Sequence, residues 1–265
     1  MHPELDLGTI ASMLNEAGAI ALRWFRTPLD AIDKGGAAGY DPVTEADRGI
    51  ETLLRERLMA QFGDHEIVGE EFGTTGVPGR YRWLIDPIDG TKAFVTGSPL
   101  WGILLGLLDD DRPVAGWIHQ PYLEETFSGF ADGEAWLERR GSRTPLRTRQ
   151  GVDLADAVLY CTTPAMFTAP AELAAFRAVS DHARLVRYGG DCYAYAQLAM
   201  GQVDVVIDTG LQPYDIVPII PVVEAAGGMV SGPAGGPASA GGFVIATATD
   251  QLHEQIINVI QEAFA

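Results

Sequence analysis

Cysteine is nearly absent from this 265-residue chain: Cys161 and Cys192 are the only two. Two cannot build a disulfide framework, and they show no metal-type spacing. Basic residues are scarce as well. Eighteen Lys and Arg face 36 Asp and Glu, a formal charge of −18. Such a chain has no basic face to neutralise a phosphate backbone, which argues against a general nucleic-acid binder. No apolar run reaches the roughly 18 residues that span a bilayer. The first residues, "MHPELDLGTIASMLNEAGAIALRWF", lack the basic start and apolar block of a secretory signal. The expectation is a cytoplasmic protein with neither nucleic acid nor membrane as partner. A nucleophile constellation is missing too: His65, His119 and His182 have no matched partners and read as surface or structural.

What is there is a 47% hydrophobic composition, enough for a sizeable core. An acidic protein can still take a small phosphate if something cationic sits in the site. With few clustered bases, a metal ion is the natural candidate. The plainer reading is that the charge only keeps the protein soluble.

Leu7, Ile10, Leu14, Ala17, Ala21 and Phe25 repeat at helical spacing and predict an opening amphipathic helix. "TPLDAIDKGGAAGYDPVT" reads as a long loop, and a second helix begins near Thr44 with Ile50, Leu53, Leu54, Leu58 and Phe62 on its apolar side. "YRWLID", "LWGILLGLL", "PVAGWIHQP", "ETFSGF" and "EAWLE" read as strands. Near Gly151 strands begin to alternate with helices: "AVLYCTT", "AELAAFRAVSDHA", "RLVRYGG", "DCYAYAQLAMG", "VDVVID", "DIVPIIPVVEAAGG", "GFVIAT" and "DQLHEQIINVIQEAF". That alternation predicts stacked layers. The prolines of "DIVPIIPVVEAAGG", Pro218 and Pro221, fall near its start, where a helix tolerates them better, and Gly227 with Gly228 stops it. "SGPAGGPASAGG" reads as a mobile low-complexity loop.

The chemistry concentrates in "WLIDPIDGTKAFVTG". Carboxylate and carbonyl oxygens suit magnesium. A strand breaking at Pro87 can turn Asp86, Asp89 and the Ile88 carbonyl toward one point. Gly90 lets backbone approach a ligand closely, and the amides of Gly90 and Thr91 suit a phosphate if they open a helix. The bland reading is an Asp-Pro turn followed by an Asp-Gly turn. "VGEE" supplies Glu70 and Glu71, "DPVTEAD" supplies Asp41, Thr44 and Asp47, and "QPYDIVP" supplies Asp215. Taken singly, Thr44 reads as a helix cap and Asp215 as an acid suited to a helix dipole.

Taken in order, "DPVTEAD", "GEE", "DPIDGT" and "PYD" before "EAAGG" resemble the signatures of the inositol monophosphatase family, and the resemblance covers nearly the whole chain. It implies a magnesium-dependent, often lithium-sensitive phosphomonoester hydrolase with two or three Mg2+ per site, or Mn2+ instead. It implies a layered αβαβα sandwich of the inositol monophosphatase and fructose-1,6-bisphosphatase type. An N-terminal α+β half, residues 1–150, would carry most metal ligands. A smaller α/β half, residues 151–265, would carry Asp215 and the substrate-specificity residues. By resemblance Glu70, Asp86 and the Ile88 carbonyl form one metal site, and Asp86 bridges to a second held by Asp89 and Asp215. Gly90 and Thr91 hold the phosphate, Asp89 joins them among the substrate-binding residues, and Thr91, Asp47 and Glu70 serve the attacking water. Lys34 lies in a loop that closes over the site and helps place a third, weaker metal. Glu71 stands behind the ligands. Tyr214 replaces the family's usual tryptophan and is expected to keep an aromatic wall. Relatives are commonly homodimers.

Two divalent ions about 3.5–4 Å apart would neutralise the phosphate and lower the pKa of a water. "RYGGDCYAYAQLAMG", "DVVIDTGLQPYD" and "DPIDGTKAFVTGSPLWG" resemble the bacterial histidinol-phosphate phosphatase branch. The family position matching Asp191 faces the substrate's organic part and is usually small in inositol-hydrolysing members. An acid there, with Asp208 nearby, suits an amine. The plainer reading of Asp191 is a helix N-cap. The competing functions are an inositol-1-phosphatase or broad sugar-phosphate phosphatase, and a metal-binding protein with a decayed site.

Overall fold

Ile10, Leu14, Ala17 and Ala21 do fall on one buried stripe of a helix, α1 (Leu7–Trp24), which Asp6 caps by accepting from the amide of Gly8 at 3.0 Å. The computed structural model describes residues 5–27, 32–33, 42–43, 45–63 and 65–264. Lys34, Asp41 and Thr44 lie outside the described residues. Strands β1 (Ile32–Asp33) and β2 (Pro42–Val43) pair antiparallel, and α2 (Glu45–Gln61) follows.

One sheet contains β3 (Glu66–Gly69), β4 (Gly73–Thr75), β5 (Tyr81–Asp89), β6 (Gly102–Asp109), β7 (Arg112–Gln120), β8 (Glu125–Phe130), β9 (Ala135–Arg139) and β10 (Ser142–Pro145). Its order is β10-β9-β8-β7-β6-β5-β3-β4, antiparallel throughout except for β3 with β5. Helix α3 (Thr91–Val95) sits between β5 and β6. The second sheet contains β11 (Val158–Cys161), β12 (Leu185–Tyr188), β13 (Val205–Leu211), β14 (Met229–Ser231) and β15 (Gly242–Thr247), in the order β12-β11-β13-β15-β14. The remaining helices are α4 (Pro170–Ser180), α5 (Asp191–Ala199), α6 (Pro213–Ile216), α7 (Ile219–Ala225) and α8 (Asp250–Phe264).

Three apolar clusters define how these elements stack. The first joins α1 and α2 to one face of the larger sheet, through residues such as Ile50, Leu54, Trp83 and Leu105. Neighbouring Leu104 points the other way, with Ile118 and Phe127, into a second cluster shared with α5, α7 and the smaller sheet. The third seals the far face of the smaller sheet with α4 and α8. Each fully buried Leu or Ile in these clusters contributes about 1.5–3 kcal/mol. The result is the expected αβαβα order of layers, with α5, α6 and α7 between the two sheets.

Two local expectations change. Strand β5 does not end at Asp86 but runs through Pro87 to Asp89, and its register with β6 shifts between Asp86 and Asp89. Proline has no N–H for the ladder, so pairing lapses there and a bulge re-aims the flanking side chains. "DIVPIIPVVEAAGG" forms two short helices rather than one, with Val217 and Pro218 between α6 and α7. The missing Pro218 amide breaks the helical hydrogen-bond series at that point. The loop after β14 is laced by backbone hydrogen bonds, among them Gly232 N to Gly236 O at 2.9 Å, and Ala238 is buried within it.

Candidate active site

The bulge in β5 brings Asp86 and Asp89 to one side, and α6 delivers Asp215 from the middle layer. One carboxylate oxygen from each of these three residues lies within 4.8 Å of the others. Backbone donors fix each carboxylate separately. Asp86 Oδ1 accepts from the Ile88 amide at 3.0 Å, Asp89 Oδ2 from the Cys192 amide at 2.6 Å, and Asp215 Oδ2 from the Gln212 amide at 2.7 Å. The Asp215 bond closes a capping box at the start of α6.

So many acids in a buried place raise one another's proton affinity. Burial, then the charges of Glu70, Asp89, Asp215 and Asp47, pushes Asp86 well above the usual carboxylate range. Burial first and Asp215 second push Asp89 up to about 7, and burial pushes Asp215 up to about 7. The donor set is hard oxygen and strongly anionic, and it fits a divalent cation of the magnesium class.

These residues line an open cavity of ≈ 850 Å³ together with Glu70, Ile88, Gly90, Thr91, Asp191 and Asp208. Gly90 is in the left-handed region at φ 85°, and a Cβ there would stand 3.0 Å from Leu100 O and 3.1 Å from Asp191 Cβ. Both the backbone and the space therefore require glycine. Gly90 caps α3, so the amides expected to suit a phosphate do open a helix, though one of a single turn. Thr91 Oγ1 donates to the Ile88 carbonyl at 3.1 Å.

Asp191 is the first residue of α5, and Gly190 is its cap. Its carboxylate makes no capping bond. It holds a left-handed φ of 44°, which costs a non-glycine residue about 1–2 kcal/mol. Burial, then the charges of Asp89 and Asp208, pushes Asp191 up to about 8, with Lys92 opposing. Lys92 is the only cation on the cavity wall among the described residues. Asp208 is committed otherwise: its oxygens accept from the Thr162 amide at 2.7 Å and from the Tyr195 hydroxyl at 3.1 Å.

Other expected residues stand behind the wall. Asp47 is buried in the first turn of α2, and its charge acts on Asp86. Glu71 turns away to Arg48, 3.8 Å distant. Tyr214 packs with Leu84, Leu108 and Val217 rather than lining the cavity, where α6 meets β5 and β6 of the larger sheet. The histidines without evident partners have them in the fold. His65 Nδ1 accepts from Trp83 Nε1 at 3.0 Å, His119 pairs with Thr126 at 2.8 Å, and His182 with the Ala178 carbonyl at 2.7 Å. None borders the cavity.

A cluster of hard oxygen donors between two sheets stacked in this way fits a metal-dependent phosphatase, and comparison with known proteins gives the class. The chain belongs to the inositol monophosphatase family, which it matches over residues 6–264. Members of that family are phosphomonoester hydrolases acting on small phosphorylated substrates. Among its relatives, the bifunctional phosphatase IMPL2 of Arabidopsis thaliana is 37% identical, covering 97% of this chain and 76% of its own length. A histidinol-phosphatase of Chlorobaculum parvum is 32% identical over 86% of this chain and 85% of its own. The structure of an inositol monophosphatase from Zymomonas mobilis superposes with a TM-score of 0.84, at 32% identity and 96% coverage of both chains.

Proposed function

We propose that this enzyme is a magnesium-dependent histidinol-phosphate phosphatase. The observation that carries the substrate is Asp191. It is a carboxylate on the cavity wall with no hydrogen bond or ion pair among the described residues, held there in an unfavourable backbone conformation. Asp208 lies behind it and adds negative potential. An alcohol phosphate with a cationic body suits that wall; a neutral polyol does not use it. Identity to a histidinol-phosphatase supports the same reading.

Glu70, Asp86, Asp89, Asp215 and the Ile88 carbonyl would hold the magnesium. Bound magnesium supplies positive charge to the phosphate and lowers the pKa of water. The chain does the rest. The Gly90–Thr91 backbone grips the phosphate. Thr91 Oγ1 already donates to Ile88 O, so its lone pairs remain to accept from a water in the cavity. Glu70, on the cavity wall, takes the proton that water loses as its oxygen attacks phosphorus, and the buried charge of Asp47 behind the wall supports that transfer. The ester P–O bond breaks, the leaving oxygen takes a proton from solvent in the open cavity, and the carboxylate returns the one it took to solvent. The second reading, an inositol-1-phosphatase or broad sugar-phosphate phosphatase, rests on the equal 32% identity to the Zymomonas enzyme.

The two are separated by Asp191→Ala. A buried charge left unpaired costs about 2–5 kcal/mol. Accordingly kcat/KM for histidinol phosphate should fall at least ~10-fold, equivalent to about 1.4 kcal/mol. Inositol-1-phosphate hydrolysis should change far less. An equal loss on both substrates would favour the second reading.

A further inference from the structure

Glu51 takes no part in the chemistry described above, yet it is 0% exposed. It lies on α2 one turn beyond Asp47, and Arg55 lies one turn beyond Glu51, so the three share a helix face. All are buried, in a polar strip beside the apolar strip of Ala46, Ile50, Leu54 and Leu58. A carboxylate removed from water must use its lone pairs. Those of Glu51 go to the turn after β3. Oε2 accepts from the Glu71 amide at 2.7 Å, Oε1 from the Phe72 amide at 3.2 Å, and Arg55 Nε donates to Oε1 at 2.7 Å. Arg55 then reaches the far side of the turn, donating to Thr75 Oγ1 at 2.7 Å and to the Gly73 carbonyl. A Cβ on Gly69 would stand 2.1 Å from Glu51 Oε1, so only glycine there lets the carboxylate in.

We infer that Glu51, braced by Arg55, is a positioning residue that holds Glu70 at the metal site. This rests on the reading of Glu70 as a metal ligand. The two amides that Glu51 grips belong to the residues immediately after Glu70, and Asp47 stands one turn away on the same helix. The α2 face therefore sets the distance between Glu70 and Asp47. Stability alone does not call for this pair, since apolar residues of similar volume often serve as well as a buried ion pair. Two acceptor oxygens aimed at two successive amides supply direction, which apolar packing does not.

The test uses Glu51→Gln and the neutral double variant Glu51→Gln/Arg55→Gln, which leaves no unpaired charge. Mn2+ binding to the metal-free full chain is followed by electron paramagnetic resonance, beside the melting temperature and the magnesium dependence of phosphate release. Both variants should remain folded with Mn2+ dissociation constants raised at least 10-fold, and their activity deficit should narrow as magnesium is increased. A change under twofold in a folded variant would overturn the inference. So would a double variant that does not fold, which would assign the pair to stability. Asp86→Asn is the control on the underlying reading: if it binds Mn2+ like the unmodified protein, the metal site itself is misassigned, and the inference falls with it.

Discussion

Thr91 and Asp47 come from different elements, α3 and α2, and are assigned to one water. If they act as a unit, Thr91→Ala and Asp47→Asn should each lower kcat about 100-fold or more, and the double variant should be little worse than either. Steady-state kinetics on the three variants decides it; fully multiplicative losses would mean separate steps. The acidic cluster was legible in the sequence, because its residues sit in short strings whose order is itself informative. Asp86, Ile88, Asp89, Gly90 and Thr91 fall within six positions, and one bulge brings them together. Glu51 was not read, although Asp47, Glu51 and Arg55 repeat at four-residue intervals. A buried polar strip and an exposed one look alike in sequence, and only the fold shows which face is covered. Tyr214 was misread for the same reason: its neighbours in the chain are site residues, its neighbours in space are core.

Elements also position the site from a distance. Gly106, Gly116 and Gly129 lie side by side on β6, β7 and β8, in register across three strands. Cβ atoms there would stand 2.9 Å from Pro218 N, 1.8 Å from Pro218 O and 2.3 Å from Pro221 O respectively. The row forms a trough in which the α6–α7 junction rests against the sheet, and Asp215 precedes Pro218 by three residues. Gly116→Ala should cost about 1–3 kcal/mol of stability by overpacking. It should also lower kcat by about 100-fold, the scale of a misplacement near 1 Å. Melting temperature and kinetics measure both, with Gly236→Ala, where nothing lies within 4 Å, as the neutral comparison. Wild-type values for Gly116→Ala would show that α6 does not depend on the trough. No local pattern could reveal this row, because strand register is set by pairing between segments distant in sequence. The split between α6 and α7 escaped for a related reason: two prolines near a helix start are tolerated locally, and only the sheet beneath fixes where the chain bends.

For the whole molecule, the cavity carboxylates make stability depend on pH. Asp89 and Asp215 near 7 and Asp191 near 8 sit above their ordinary 3.8. A raised carboxylate contributes stability that is complete below about 4 and lost as pH rises through the folded value. His119 acts in the other direction. Burial lowers it from 6.5 to about 4, so its contribution is complete above 6.5 and lost as pH falls toward 4. Three raised carboxylates outweigh one lowered histidine, so the metal-free protein should lose stability steadily as pH rises from about 5 to 8. Its melting temperature should fall by several degrees toward pH 8, at roughly 2–4 °C per kcal/mol for a chain of this size. Magnesium should remove most of that decline, because the ionised carboxylates then have a counter-charge. Thermal unfolding in chelator and in magnesium from pH 5 to 8 measures it, and a flat profile in chelator would contradict the raised values.

The hydrogen bond from the Cys192 amide to Asp89 joins the end of β5 to the start of α5. Asp86 and Asp89 are thus completed by residues that leave the ribosome much later. A nascent chain that has made only the larger sheet carries an acidic pair without Asp215 and without the amide that restrains Asp89. The complete three-acid cluster forms only once the middle layer has been synthesised and has docked. For a metal held by all three acids, the complete site would exist only after the two sheets have found each other.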